Sequence, residues 1–155
     1  MHPQFASVID SLEPSFRHLI EMEPVSYATL PRWMPISGIY LFSEGPDHLY
    51  VGRSRGIRSR LGRHCRAGAT HRMAAFAFRL AREATGNLKA TYTAKGSRAS
   101  LIEDPQFRAA FETAKDRIRR MDIRFVAEAN PIRQTILEVY AAVALQTPFN
   151  DFDTH

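Results

Sequence analysis

Apolar and polar positions change period several times along this chain, and each change marks an element. Phe5, Val8, Ile9 and Leu12, then Phe16, Leu19 and Ile20, recur at helical spacing. Pro14 falls between the two groups and removes a backbone N–H, so the pattern predicts two short helices over residues 3–21, the second starting near Pro14. Residues 23–37 contain Pro24, Pro31 and Pro35 and read as an irregular lead-in, where Trp33 is expected to act as a packing anchor. The period then shortens to two. Gly38 to Phe42 and Leu49 to Gly52 alternate on either side of a Gly-Pro-Asp turn cluster, which predicts a hairpin. Placing Ile39 opposite Val51 and Leu41 opposite Leu49 puts four aliphatics on one face. It also sets Tyr40 opposite Tyr50 on the other face, with Cβ atoms about 4.5–5.5 Å apart.

Beyond the hairpin the helical period returns. Ile57 to Cys65 forms a basic helix in which Arg60 and His64, four residues apart, share a face. A second helix runs from about Arg72 to Ala84 with Met73, Phe76, Ala77 and Leu80 as its stripe, and Gly86 ends it. Asn87 to Ser97 is polar and reads as a loop near a substrate, with Lys89, Lys95 and Arg98 close by; a short helical turn follows Ser97. Asp104-Pro105 and Asn130-Pro131 each pair an N-cap residue with proline at the first helical position. Between the two helices they start, Asp122 to Glu128 reads as the third strand. The expected fold is α/β, a three-stranded antiparallel sheet flanked by helices. Residues 1–34 form a helical N-terminal addition and lead-in, and residues 35–155 the main domain.

Composition adds constraints rather than elements. At 155 residues the chain is long enough for one domain with a real core, and ten phenylalanines fit a globular protein. No apolar run approaches a membrane span and no signal-peptide pattern opens the chain, so a cytoplasmic protein without membrane contact is expected. One cysteine, Cys65, excludes an intrachain disulfide and reads as a small buried hydrophobe. The net charge is only +5, but its placement is informative. No Asp or Glu occurs between Asp47 and Glu83, a window rich in arginine. Arg53, Arg55, Arg58 and Arg63 there offer planar forks suited to phosphate, which points to nucleic acid as the partner.

Glu138 stands out differently. Ile136 to Leu145 is apolar except for this carboxylate and the Tyr140 hydroxyl, and a buried acid needs a partner. Two partners fit: one of the arginines in an ion pair, or a divalent cation. The chain holds no phosphate-binding loop, no zinc spacing among His48, His64 and His71, and no nucleophile elbow.

Gly38-Ile39-Tyr40, Tyr50-Val51-Gly52 some ten residues later, Arg60 and His64 one helical turn apart, Glu138 on a later helix and Asn150 beyond it together resemble the GIY-YIG nuclease superfamily. The resemblance covers residues 35–152, with valine where that family has isoleucine. It implies a metal-dependent endonuclease that hydrolyses nucleic-acid phosphodiesters, DNA first of all, with Mg²⁺ or another divalent cation held at Glu138. Tyr40, Tyr50, Arg60, His64 and Glu138 would be the catalytic set. Arg60 would contact the developing charge, Tyr40 would orient or deprotonate the attacking water with Tyr50 beside it, and His64 would assist or carry the proton. Asn150 would orient the terminal loop near Glu138 or touch the nucleic-acid backbone. Two other readings use the same residues: an inactive nucleic-acid-binding module on this fold, and a metal-dependent enzyme acting on a small phosphorylated molecule.

Overall fold

The structure, a computed structural model, describes residues 1–87 and 97–152. The expected substrate loop, with Lys89 and Lys95, lies outside the described residues apart from its ends. The chain divides into two compact units, Met1–Arg60 with Met121–His155, and Leu61–Arg120.

The first unit is built on a sheet of β1 (Gly38–Glu44), β2 (Asp47–Ser54) and β3 (Asp122–Ala127), all antiparallel in the order β2-β1-β3. One face carries Ile39, Leu41, Val51 and Val126. Helices α1 (Pro3–Glu21) and α6 (Pro131–Leu145) cover it with Leu12, Leu19, Leu137 and Ala141. Burying one such aliphatic side chain contributes about 1.5–3 kcal/mol, so this cluster is a main source of the unit's stability.

Pro14 does not break α1, which is one continuous helix rather than two. Leu12 before the proline and Leu19 after it are both fully buried in the same cluster, with Val8 and Phe16 packed beside them. That burial on both sides outweighs the single hydrogen bond that proline removes. It also makes α1 part of the sheet's core. The Asn130 cap behaves as its sequence implies: its Oδ1 accepts from the N–H groups of Ile132 and Arg133, both at 3.0 Å.

The hairpin keeps its faces but not the expected register. Leu41 pairs with Val51, Tyr40 with Gly52 and Phe42 with Tyr50, whereas Ser43 pairs with His48 and Glu44 with Asp47. Two causes add. Gly45, at a φ of 58°, and Pro46 close a two-residue loop, which moves the turn by one residue. Leu49 is then the extra residue of a β-bulge, which moves the pairing by one more. A shift of two restores every side chain to its original face, so Tyr40 and Tyr50 still share one. They lie diagonally, with ring centroids 6.4 Å apart, instead of directly opposite.

Each outer strand carries a local backbone contact on its open side. Val25 exchanges backbone hydrogen bonds with Ile123 on the outer side of β3, at 2.9 and 2.7 Å. On the outer side of β2 the Asn150 side-chain amide takes the place of a strand. Its Oδ1 accepts from Val51 N–H at 2.8 Å and its Nδ2 donates to the Val51 carbonyl at 2.7 Å. Bare edges invite pairing with other chains, and these contacts occupy part of each.

The second unit holds α3 (Ala75–Thr85), α4 (Arg98–Glu103) and α5 (Pro105–Arg119), with most of α2 (Ile57–Cys65), which begins in the first unit. The start of α3 lies three residues later than the sequence suggests, and Gly86 ends it at a φ of 78°. Phe78 packs against Phe107 and Phe111 with centroids 5.1 and 6.4 Å away. Lys115 is buried and donates to the carbonyls of Ala67 and Ala69 at 2.7 and 2.9 Å. Burial pushes the Cys65 thiol up to about 12, against a smaller opposing pull from Arg119. It is therefore a packing residue and not a nucleophile. Among the described residues no helix is long and apolar enough to cross a membrane.

Candidate active site

Three elements of the first unit converge on one guanidinium. Tyr40 comes from the central strand, Tyr50 from the edge strand, and Arg60 from the first turns of α2. The start of α2 is fixed by backbone: Ile57 N–H donates to the Ile36 carbonyl at 2.8 Å. Arg60 is half-buried and lies close enough to both tyrosine hydroxyls to interact with each. Burial opposes its charge, and the two hydroxyls more than offset that, so its pKa moves up. A guanidinium has five N–H donors in a rigid fork, so contact with two tyrosines leaves others for a phosphate.

Gly52 explains how the rings fit. Tyr40 pairs directly with Gly52, and a Cβ built there would lie 2.2 Å from both Cζ and Oη of Tyr40. The tyrosine ring lies across the glycine, and only a residue without a side chain allows it. Gly38 is required for another reason: a Cβ there would sit 1.9 Å from the Val126 carbonyl oxygen, so the close approach of β3 excludes it.

The electrostatics of Tyr40 differ from the simplest expectation. Arg60 favours the phenolate, yet burial raises the pKa far more, and Tyr50 and Glu138 push the same way. Tyr40 is 1% exposed and stays protonated at neutral pH. The neighbouring cation does not by itself make it a base.

Glu138 projects from α6 toward the same cluster, near enough to act electrostatically on Tyr40 and to feel Arg60. Its Oε2 pairs with Arg53 Nε at 3.0 Å, with Glu138 19% and Arg53 45% exposed. Burial raises the carboxyl pKa; Arg53 and then Arg60 pull it back without cancelling the shift. So Arg53 serves Glu138 as well as the basic surface, and the ion-pair partner left open by the sequence is identified. No hydrogen bond from a described residue reaches Oε1. One free carboxylate oxygen suits Mg²⁺, which keeps several of its waters. No cluster of three His, Cys, Asp or Glu exists among the described residues.

The other expected residues fall in several places. His64 ends the turn of α2 after Arg60, is fully buried, and meets Phe76 edge-on at 6.4 Å in the second unit. Asn150 is committed to Val51, the residue between Tyr50 and Gly52, and its Oδ1 also accepts from Thr147 Oγ1 at 2.7 Å. It positions the strand that carries Tyr50. Arg55 and Arg63 are exposed. Arg58 donates to the carbonyls of Pro31 and Arg32, holding the lead-in against α2. Gln134 was not singled out by sequence, yet it is buried and donates to the Glu128 carbonyl at 2.9 Å, one turn before Glu138. A glutamine in an apolar helix face was the available signal.

Comparison of this chain with known protein families, with curated proteins and with solved structures found no match.

Proposed function

We propose that this protein hydrolyses phosphodiester bonds in nucleic acid, DNA first of all, with a divalent cation held at Glu138. One observation carries the reading: Arg60 lies against the hydroxyls of Tyr40 and Tyr50 and interacts electrostatically with both, with Glu138 near enough to act on Tyr40 and to feel Arg60. Attack on a phosphodiester builds charge on the oxygens around phosphorus, and donors fixed in advance at that place lower the barrier most. The tyrosines flank the half-buried Arg60, so its N–H groups meet that charge with little reorganisation. Tyr40, neutral and buried, orients the attacking water through its hydroxyl instead of serving as a resting phenolate. A cation bound at Glu138 would supply Lewis-acid stabilisation of the departing oxygen. Arg53 keeps Glu138 charged and aimed. The exposed Arg55 and Arg63 give the surface its attraction for phosphate.

The Arg53–Glu138 pair favours one second reading. A carboxylate already neutralised by arginine suits an inactive nucleic-acid-binding module on this framework. Incubation of plasmid and single-stranded DNA with and without Mg²⁺ decides between the two. Cleavage that needs Mg²⁺ and disappears in Glu138→Gln supports the nuclease. DNA binding without cleavage under any divalent cation overturns it in favour of the module.

A further inference from the structure

The lead-in carries a feature that the cluster around Arg60 does not use. Trp33 is 85% exposed and Ile36 80% exposed, which corrects the expectation that Trp33 anchors the core. Tryptophan is among the more buried residue types on average, so this degree of exposure calls for a cause. The segment is nevertheless held firmly. Arg58 donates to the carbonyls of Pro31 and Arg32, Ile57 N–H donates to the Ile36 carbonyl at 2.8 Å, and Glu128 N–H donates to the Ser37 carbonyl at 3.0 Å. Pro31 and Pro35 restrict the backbone on either side of the ring. The indole is thus presented to solvent on a stiff support.

Its surroundings are cationic. The Arg32 guanidinium lies over the Trp33 ring, 5.8 Å from the centroid. Arg58 lies beneath the loop and Arg55 is exposed two residues before the start of α2. From Pro24 to Ser43 the chain has no Asp or Glu. A flat aromatic ring with the Arg32 guanidinium over it, on a loop bonded to Arg58, matches a nucleobase with its phosphate. A base inside a duplex already stacks on its neighbours, so the ring is available only to an unpaired one.

We propose that Trp33 is a stacking platform for an unpaired base, seated against the first turn of the helix that carries Arg60. The assignment rests on the nuclease reading and narrows its substrate to nucleic acid with a single-stranded stretch beside the scissile bond. Stacking on one aromatic is tolerant of base identity, so the platform selects for strand state and not for sequence.

Trp33 is the sole tryptophan, so its fluorescence reports on it directly. The full chain is titrated with an oligothymidylate, with an abasic strand of equal length and charge, and with a duplex. Emission should quench on the oligothymidylate and change little on the other two. Trp33→Ala should weaken oligothymidylate binding roughly 5- to 150-fold, with Trp33→Phe restoring most of it. Cleavage of single-stranded DNA, of a duplex with a single-stranded tail and of plasmid is followed in parallel with Mg²⁺. Equal quenching by the abasic strand, or undiminished oligothymidylate affinity in Trp33→Ala, overturns the platform and leaves the nuclease reading to stand on its cleavage. Selective quenching without cleavage sinks the nuclease and keeps the platform. Absence of binding to any strand sinks both.

Discussion

Adding one methyl group at Gly52 tests the arrangement around Tyr40 more sharply than removing Tyr40 does. In Gly52→Ala the new Cβ would begin 2.2 Å from Cζ and Oη of Tyr40 and 2.7 Å from Cε2. Comfortable carbon contacts start near 3.5 Å, so the end of the ring must retreat by about 1.3 Å. The ring is fully buried, with Phe42 edge-on at a centroid distance of 5.8 Å, and has little free space to enter. Overpacking of this kind costs roughly 1–3 kcal/mol. In a chain of this length that lowers the melting temperature by about 2–4 °C per kcal/mol. The same retreat moves the Tyr40 hydroxyl away from its place beside Arg60, and in the proposed nuclease a misplacement of about 1 Å costs up to 100-fold in rate. A double-mutant cycle isolates the cause. In a Tyr40→Ala background the clash has no partner, so Gly52→Ala should then cost near zero. Urea denaturation of the four proteins gives the coupling. An equal loss in both backgrounds would mean that Gly52 serves the strand backbone and that the ring does not lie across it.

Three further expectations concern neighbouring groups. Asn150→Ala removes both bonds to Val51 and should cost about 1–3 kcal/mol, read by urea denaturation, with DNA affinity unchanged; weakened DNA binding at full stability would instead place Asn150 on the nucleic acid. The raised pKa of Glu138 means the folded state holds its proton more tightly than the unfolded chain, so its contribution is greatest below the ordinary carboxylate range and is lost as pH climbs through the folded value. At neutral pH the ionised carboxylate is therefore a net cost, and Glu138→Gln should melt at or above the wild-type temperature, the gap closing in acid; a drop of several degrees at pH 7 would give the ion pair with Arg53 the larger weight. DNA affinity should fall steeply with salt, with a log–log slope of about −0.9 per neutralised phosphate on duplex, and a flat response would reduce the arginine window to a solvated surface.

What the sequence disclosed follows the range of the interaction involved. Capping is local, so Asn130-Pro131 and Asp104-Pro105 could be read in place, and Asp104 does accept from Gln106 N–H at 3.0 Å. Face assignment in the hairpin needs only period two, which is why both tyrosines were placed on one face. Register depends on how a turn and a bulge add, and no periodicity encodes that sum. Arg53 and Glu138 meet across 85 residues of chain, and any arginine in the window would have satisfied the same argument. Pro14 and Trp33 misled in opposite ways. Intrinsic helix propensity lost to burial at the first, and hydrophobicity lost to a backbone pinned by Arg58 at the second.

The bulge at Leu49 carries a consequence for how this hairpin can change length. Side chains on a strand obey parity: an odd insertion inverts everything beyond it, and an even one does not. Between Ser43 and Tyr50 the count is held by one unpaired residue, with the Ser43 hydroxyl and His48 Nδ1 joined at 2.8 Å just before it. Removing Leu49 leaves a regular ladder in which Tyr50 still faces the same way, because the bulge absorbs the odd step. Removing a loop residue instead, with the bulge intact, turns Tyr50 toward Leu12 and Leu19 and brings Val51 to the arginine. The hairpin therefore has one position where its length can be edited singly, and everywhere else the cluster around Arg60 tolerates changes only in pairs.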